Sequence, residues 1–154
     1  DLRHARRAGC VRHPLTSSDE TATTVLVVDA SAIAELLLGT AKGREVATLL
    51  QADGSLHAPE LLGVEVASVL RGFLRSRGIT STEAEVCLGE LAALGIEWYE
   101  HLPLLPRALE LRDSLSVYDA VYVALAEALD APLLTCDSKI ERASAHRAAV
   151  RLVG

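Results

Sequence analysis

The stretch VLVVDASAIAELLL, residues 25–38, decides the fold. Four β-branched or leucine residues come first, and a longer segment with helical character follows them. Asp29 stands at the junction between the two. A short apolar strand that passes directly into a helix is typical of a parallel sheet, because parallel strands are covered on both faces and are joined through helices.

The alternation of short strands and longer helices continues along the chain. It predicts an α/β fold with a central, mainly parallel sheet of four to five strands, flanked by about seven helices. The predicted strands are 25–29, 56–58, 96–100, 132–136 and 149–153. The predicted helices are 31–38, 43–52, 60–77, 82–94, 104–113, 117–129 and 138–145.

The bulk composition narrows the class of protein. A chain of 154 residues with 50% hydrophobic content can bury one core but not two. The apolar runs are interrupted by charged residues, which excludes a transmembrane helix. Cys10, Cys87 and Cys136 lie far apart with no CxxC pair, as expected in a reducing, cytoplasmic compartment. A net charge of -6 argues against coating nucleic acid through bulk electrostatics, so any such contact must be local or aided by cations.

The first 24 residues differ in composition from the rest. Arg, His, Ser and Thr dominate residues 1–24, and no apolar period is visible there. We expect a flexible extension, which fits a non-native or alternative start because the chain has no methionine. The folded domain is expected to cover residues 25–154.

Four carboxylates stand where a site is expected. Asp29 and Asp137 each follow a predicted strand, and sites in open parallel sheets form beyond the carboxyl ends of strands. Asp119 lies in the first turn of the apolar helix SVYDAVYVALAEAL. Glu65 falls within the apolar register of helix 60–77, whose expected buried face is formed by Leu62, Val66, Val69, Leu70 and Phe73.

Bringing these four acids together would require a counter-charge. Two carboxylates at about 4 Å repel by roughly 4 kcal/mol at an effective dielectric constant near 20. A divalent cation removes that repulsion, and ligands that are all carboxylates favour Mg²⁺ or Mn²⁺ over Zn²⁺. Such ions promote phosphodiester hydrolysis by a water molecule without the help of a histidine.

Four motifs in this order carry a family resemblance: VVDASAIAELL, the Glu of GVEVASVLR, SVYDAVYVALA, and LLTCDSKI. Over about residues 25–154 the chain resembles the PIN-domain ribonucleases of the VapC toxin family. The resemblance implies an acidic trio of Asp29, Glu65 and Asp119, with Asp137 as a fourth carboxylate beside Thr135. It also implies that Ser31 lies close to Asp29.

The same resemblance implies a biological role. It predicts a Mg²⁺- or Mn²⁺-dependent endoribonuclease that cleaves a structured RNA such as tRNA or rRNA. It further predicts a homodimer, silenced by a VapB-type antitoxin that inserts a side chain, often Arg, among the carboxylates. Two departures from the family pattern are the 24-residue leader and Ser68, which stands where an Asn is often seen. Neither removes an implied metal ligand.

Helix capping is an alternative interpretation of three of the acids. Ser138 with Glu141 spells a capping box, which would leave Asp137 as only a helix N-cap. Ser116 with Asp119 spells the same box, and Asp29 is also placed to cap a helix. Glu65 has no capping role, because it lies in the second turn of its helix, and its alternative is simple exposure.

Basic residues and histidines give weaker signals. Arg71, Arg75 and Arg77 form the densest basic group of the domain, and we predict that Arg71 and Arg75 contact RNA phosphates. A solvated helix end with favourable cations explains them equally well. The histidines show no metal-binding spacing, and Cys136 next to the site fits ordinary packing.

Two other functions compete with the nuclease. A phosphate-sensing receiver module is suggested by Asp29, Thr135 and Lys139, but the paired acids expected after its first strand are missing. A catalytically inactive PIN domain kept as a binding scaffold is the second. The presence of all four acids argues against it, and RNA cleavage would discriminate between them.

Overall fold

A computed structural model describes residues 24–51 and 54–154, and within these ranges it contains five strands and seven helices. The predicted α/β class is therefore confirmed. The strands are β1 (Thr24–Val28), β2 (Gly54–Pro59), β3 (Glu97–Tyr99), β4 (Leu133–Thr135) and β5 (Val150–Leu152). The helices are α1 (Ala30–Leu37), α2 (Ala41–Leu50), α3 (Leu61–Arg75), α4 (Ser81–Ala93), α5 (Leu105–Glu110), α6 (Val117–Leu129) and α7 (Ser138–Arg142).

The five strands form one fully parallel sheet in the order β3-β2-β1-β4-β5. Strand β1 is central, where Val27 pairs with His57 of β2 on one side and with Leu133 of β4 on the other. The chain runs outward from β1 to β3, crosses back to β4, and then continues outward to β5. The strand order thus reverses between β1 and β4, the position at which parallel α/β sheets place their ligands.

The core is built around β1 and α6. Leu26, Val27 and Val28 of β1 are buried, as are seven consecutive residues of α6, from Ala120 to Ala126. A helix that is apolar on all sides must lie inside the protein. Helix α6 contacts β1, β2 and β4, so it crosses the centre of the sheet. Since full burial of a Val or Leu side chain contributes about 1.5–3 kcal/mol, this layer holds the strand ends in place.

Helices α1 and α2 approach each other unusually closely at Gly43. A Cβ atom at this position would lie 2.0 Å from the carbonyl oxygen of Glu35. Between them, Gly39 adopts a left-handed backbone with φ of 64°, a conformation that glycine tolerates best. Thr40 then caps α2 by accepting a hydrogen bond from the N–H of Gly43.

The element ends differ from the predictions by a few residues, and two helices are clearly shorter than predicted. The helix predicted over 104–113 ends at Glu110, and the one predicted over 138–145 ends at Arg142. In the second case Ala143 is extended and Ala145 has a φ of 71°, so the backbone cannot continue a helix. The pattern of apolar residues in the sequence does not predict such changes of backbone conformation.

The predicted buried face of α3 is correct except at its end. Leu62, Val66 and Leu70 are buried, and Val69 is half-buried. Phe73 was expected to pack on the sheet, and this was wrong, because the side chain is 40% exposed. Phe73 lies in the last turn of α3, where the helical periodicity continues but the side chain is left partly open to solvent.

Two of the chain-level predictions concern the termini and the membrane. A flexible extension was predicted over residues 1–24. Residues 1–23 lie outside the described residues, and Thr24 is the first residue of β1. In the described part of the chain, no helix is both long enough and apolar enough to cross a membrane.

Candidate active site

The candidate site lies at the carboxyl ends of β1 and β4. Asp29 directly follows β1, and Thr135 is the last residue of β4. These strands are neighbours in the sheet, and the N–H of Asp29 donates to the carbonyl oxygen of Leu134 at 3.0 Å. Two residues that lie 106 positions apart in the chain therefore meet at one edge of the sheet.

Asp29 is buried and is held by two hydroxyl groups. Its side chain is at the N-cap position of α1 but makes no capping hydrogen bond, and the residue is only 6% exposed. The hydroxyls of Thr135 and Ser31 donate to Oδ2 at 2.6 and 2.7 Å. Ser31 therefore lies close to Asp29, as expected, and Thr135 contacts the same oxygen.

Both hydroxyls are themselves fixed from behind. Ser31 Oγ accepts the N–H of Cys136 at 2.9 Å, and Thr135 Oγ1 accepts the N–H of Asp137 at 2.9 Å. Because an ionised carboxylate can only accept, each hydroxyl donates its own proton to Asp29 while its oxygen accepts a backbone N–H. The segment that follows β4 thus determines the orientation of the carboxylate that follows β1.

Glu65 projects from α3 to the same region and is half-buried. The hydroxyl of Tyr122, on α6, donates to its Oε2 atom at 2.5 Å. Simple exposure, the alternative considered for Glu65, is therefore wrong. The spacing within helix 60–77 had placed this glutamate in the apolar register, and its partner shows why a polar group can be there.

Asp119 lies in the first turn of α6 and is half-buried. Ser116, the N-cap of α6, accepts the N–H of Asp119 at 3.2 Å and donates its hydroxyl to Oδ2 at 2.7 Å. The capping interpretation of this pair is thus partly correct. It does not account for the second oxygen of Asp119, which takes part in neither bond.

The charges of these three acids influence one another. Burial raises the pKa of Asp29 above its ordinary value, and the charge of Asp119 raises it further, while hydrogen bonds from Thr135 and Ser31 act in the opposite direction. Burial also raises the pKa of Glu65, with additional contributions from the charges of Asp29 and Asp119. Asp29, Glu65 and Asp119 therefore lie close enough for their charges to interact.

Within the described residues, the Asp137 side chain is hydrogen-bonded to none of the three acids. It is the N-cap of α7, and its Oδ1 atom accepts the N–H of Lys139 at 2.8 Å. The capping interpretation of Asp137 is therefore confirmed, although the capping box expected from Ser138 and Glu141 is not used, because α7 begins at Ser138. Asp137 is joined to the site through its backbone, whose N–H contacts Thr135. Its role as a fourth ligand remains a prediction.

The donor set of the trio suits a hard divalent cation. All candidate ligand atoms are carboxylate oxygens, and in each acid the hydroxyl bonds engage one oxygen only. Within residues 24–51 and 54–154, no three His, Cys, Asp or Glu side chains converge into a preformed metal-binding group. Mg²⁺ usually keeps several water ligands beside one or two carboxylates, so its binding here does not require direct ligation by all three acids.

Arg71 and Arg75, the predicted RNA-binding pair, lie on α3, the helix that carries Glu65. Both side chains are exposed. Arg77 follows the helix with a positive φ of 57°. Exposure leaves the pair accessible to RNA phosphates, and the contact itself stays a prediction.

Tyr122 is a site residue that the sequence analysis missed. It stands three residues after Asp119 within the quoted motif SVYDAVYVALA. Residues three apart face the same side of a helix, and a buried tyrosine hydroxyl needs a hydrogen-bond partner. Those two facts together are the signal that could have identified it.

The arrangement of acids at a strand reversal in a parallel sheet matches a known family. The profile of the PIN domain matches residues 26–145. The chain therefore belongs to the PIN domain family, and the receiver alternative is excluded.

Curated relatives define the family more narrowly. The chain is 36% identical over 129 residues to Ribonuclease VapC12 of Mycobacterium tuberculosis, which covers 84% of this chain and 99% of that protein. It is 38% identical over 128 residues to Ribonuclease VapC1 of the same species, covering 82% and 96%. Within the PIN domain family, the chain is thus a member of the VapC ribonucleases.

Solved structures share the fold. The chain superposes on PAE2754 from Pyrobaculum aerophilum with a TM-score of 0.62 at 24% identity, covering 82% of this chain and 83% of that one. Mycobacterium tuberculosis VapC20, described as a Sarcin-Ricin loop cleaving toxin, gives 0.59 at 15% identity, with coverages of 75% and 92%. VapBC2 from Rickettsia felis, bound to a DNA fragment from its promoter, gives 0.62 at 12% identity, covering 84% and 98%.

Proposed function

We propose that this VapC-family chain is the toxin of a type II toxin–antitoxin pair and acts as a Mg²⁺- or Mn²⁺-dependent endoribonuclease. The observation that carries the proposal is the coupling of Asp29, Glu65 and Asp119 at the strand reversal. Raised acid pKa values at the edge of a parallel sheet are typical of functional sites. No basic side chain is among the causes of the pKa shifts of Asp29 and Glu65 in the described residues.

Asp29, Glu65 and Asp119 would hold the cation, with Asp137 as a further ligand if its cap opens. When bound, the ion supplies positive charge that polarises the scissile phosphate and lowers the pKa of an attacking water. The chain itself contributes fixed carboxylates. Ser31 and Thr135 orient Asp29, so that little reorganisation is needed when substrate arrives.

The proposed substrate is a structured RNA of the tRNA or rRNA class. The description of VapC20 as a toxin that cleaves the Sarcin-Ricin loop supports this class. Because the net charge of this chain is -6, contact with RNA phosphates must be local, and the proposed contacts are the exposed Arg71 and Arg75 on α3, the helix that carries Glu65.

The proposed partner is a VapB-type antitoxin that places a basic side chain among the three acids. Support comes from structural neighbours solved as complexes, including a toxin–antitoxin complex from Klebsiella pneumoniae with a TM-score of 0.58 at 17% identity. An uncompensated acidic site offers an arginine a charge-assisted hydrogen bond. We further propose that the chain acts in the cytoplasm as a homodimer.

Cleavage of RNA by the purified chain tests the proposal. With Mn²⁺ or Mg²⁺ present, the wild-type chain should cleave RNA, and Asp29→Asn or Asp119→Asn should lower the rate by more than about a hundredfold, since each removes a ligand charge. Asp113→Asn is a matched control, because that side chain is 86% exposed and should leave the rate unchanged.

The proposed function is rejected if either site variant cleaves RNA at the wild-type rate. It is also rejected if chelation with EDTA leaves cleavage unaffected. An inactive PIN scaffold would show no cleavage by any of the variants while still binding its antitoxin.

A further inference from the structure

Tyr122 joins two helices at the site. Its ring is buried in the core at 1% exposure, and its hydroxyl donates to Oε2 of Glu65 at 2.5 Å. The two residues lie 57 positions apart, on α6 and α3. The bond therefore fixes the glutamate of one helix relative to the other.

We propose that Tyr122 is a positioning residue that holds Glu65 in the orientation in which this site binds a divalent cation. The inference rests on the proposed function. Asp119 stands three residues before Tyr122, one turn earlier on α6. The buried helix α6 thus carries one acid of the trio and the hydroxyl that orients a second. The same rigid helix therefore determines the positions of both acids.

The bond with Tyr122 also selects which oxygen of Glu65 is available. The hydroxyl engages Oε2, and Oε1 takes no part in that bond. Glu65 has several rotatable bonds, and holding one oxygen reduces the number of rotamers open to the side chain. Partners that orient a ligand in this way commonly change metal affinity by about 10- to 100-fold when they are removed.

A purely structural explanation accounts less well for the pair. A buried tyrosine hydroxyl needs an acceptor, and Glu65 supplies one. However, phenylalanine would fill the same space and need no acceptor at all. The acceptor is also an acid whose charge is already opposed by burial and by two neighbouring acids. Such an arrangement is expected where orientation of the acid is what matters.

Calorimetric titration with MnCl₂ tests the proposal on the full chain. Tyr122→Phe removes one oxygen atom and should weaken Mn²⁺ binding by about 10- to 100-fold. RNA cleavage by this variant should fall at limiting Mn²⁺ and recover as Mn²⁺ is raised. In a Glu65→Gln background, Tyr122→Phe should have no further effect on Mn²⁺ affinity, because the two act through one ligand.

Tyr99→Phe is the matched control. Tyr99 is also buried, and its hydroxyl bonds to His57 at 2.9 Å and to Glu97 at 3.1 Å, away from the three acids. It should lose a comparable hydrogen bond and keep the Mn²⁺ affinity of the wild type. Tyr122→Phe with wild-type affinity would overturn the inference while leaving the nuclease proposal intact. A wild-type chain that neither binds Mn²⁺ nor cleaves RNA would instead remove both.

A measurement on the unaltered protein covers the case in which Tyr122→Phe does not fold. The chain has three tyrosines, so ¹³Cζ labelling of tyrosine gives three assignable NMR signals. On titration with Mg²⁺, the Tyr122 signal should shift and saturate together with binding, and the Tyr99 signal should stay constant. A Tyr122 signal that does not move while Mg²⁺ binds would contradict the proposal.

Discussion

Helix α6 has an acidic side chain near each end, and the protein surrounds the two ends differently. At the first turn, Asp119 lies with Asp29 and Glu65, whose pKa values are raised by burial and by neighbouring acids. At the last turn, the side chain of Glu127 is only 5% exposed, yet its pKa is lowered. The cause is a pair of hydrogen bonds from Arg107, at 2.7 and 3.1 Å, with a further one from the N–H of Arg147 at 2.7 Å.

The difference shows which end of the helix serves stability. This fold can supply a guanidinium to a buried acid, and does so at Glu127. At the other end, within the described residues, the hydrogen bonds to the three acids come from the neutral hydroxyls of Ser31, Thr135, Ser116 and Tyr122 and from a backbone N–H. Acids left without a counter-charge lower the stability of the fold, and proteins retain that kind of cost mainly at functional sites. The contrast between the two ends yields three predictions that differ in the size of the effect.

Removing the structural acid should destabilise the protein most. Glu127→Ala leaves Arg107 without its main partner and the N–H of Arg147 without an acceptor. We expect the free energy of unfolding, measured by urea titration, to fall by about 2–3 kcal/mol. Glu110→Ala is the control, since Glu110 also bonds Arg107 but is 65% exposed, and it should cost less than about 1 kcal/mol. Equal losses of unfolding free energy in the two variants would contradict the stabilising role given to Glu127.

Removing the charge of a site acid should instead raise the free energy of unfolding. Because the folded pKa of Asp29 is raised, the folded state binds its proton more tightly than the unfolded state does. The protonated Asp29 therefore favours the folded state at low pH. This contribution to stability is lost as the pH rises from the ordinary pKa of an aspartate through the raised pKa of Asp29. In EDTA at pH 8, Asp29→Asn should therefore raise the unfolding free energy by on the order of 1 kcal/mol.

The pH dependence is the check on that second prediction. The gain from Asp29→Asn should shrink as the pH is lowered toward the ordinary pKa of an aspartate, because the wild-type carboxyl is then protonated as well. Thermal unfolding at a series of pH values measures it, with the exposed Asp113→Asn as a flat reference. A gain that is constant with pH would mean that charge is not its origin.

The exposed arginines of α3 should show the smallest effect. Arg71 and Arg75 are solvated, unlike Arg107, which is committed to Glu127. Charge reversal at both positions should weaken RNA binding and lower the slope of log affinity against log salt by roughly one for each phosphate that is no longer neutralised. Filter binding with the inactive Asp119→Asn chain measures this without cleavage. Unchanged affinity would leave these arginines as a solvated helix end.

The sequence was sufficient for the fold because the strands repeat one simple pattern. VLVVD, followed by a helical segment, is local information, and five such strands appear where they were predicted, with their ends displaced by one or two residues. The convergence of Asp29 with Thr135 could also be predicted, since carboxyl ends of parallel strands lie at one edge.

What escaped prediction depends on contacts between distant segments. The partner of Tyr122 is on another helix, so its role is invisible until α3 and α6 are placed together. Phe73 follows helical periodicity but is exposed, and Asp137 has the same local sequence whether it caps α7 or binds a cation. In each case the local pattern is correct and the tertiary surroundings decide the outcome.

The span of the site along the chain has a consequence for synthesis on the ribosome. Asp29 is translated early, whereas the Thr135 hydroxyl that orients it arrives 106 residues later. Until β4 has left the exit tunnel, a nascent chain has the first acid but not the group that fixes it, and Asp119 and Tyr122 also come late. The site that we propose to cleave RNA therefore cannot assemble until β4 has been synthesised and has paired with β1.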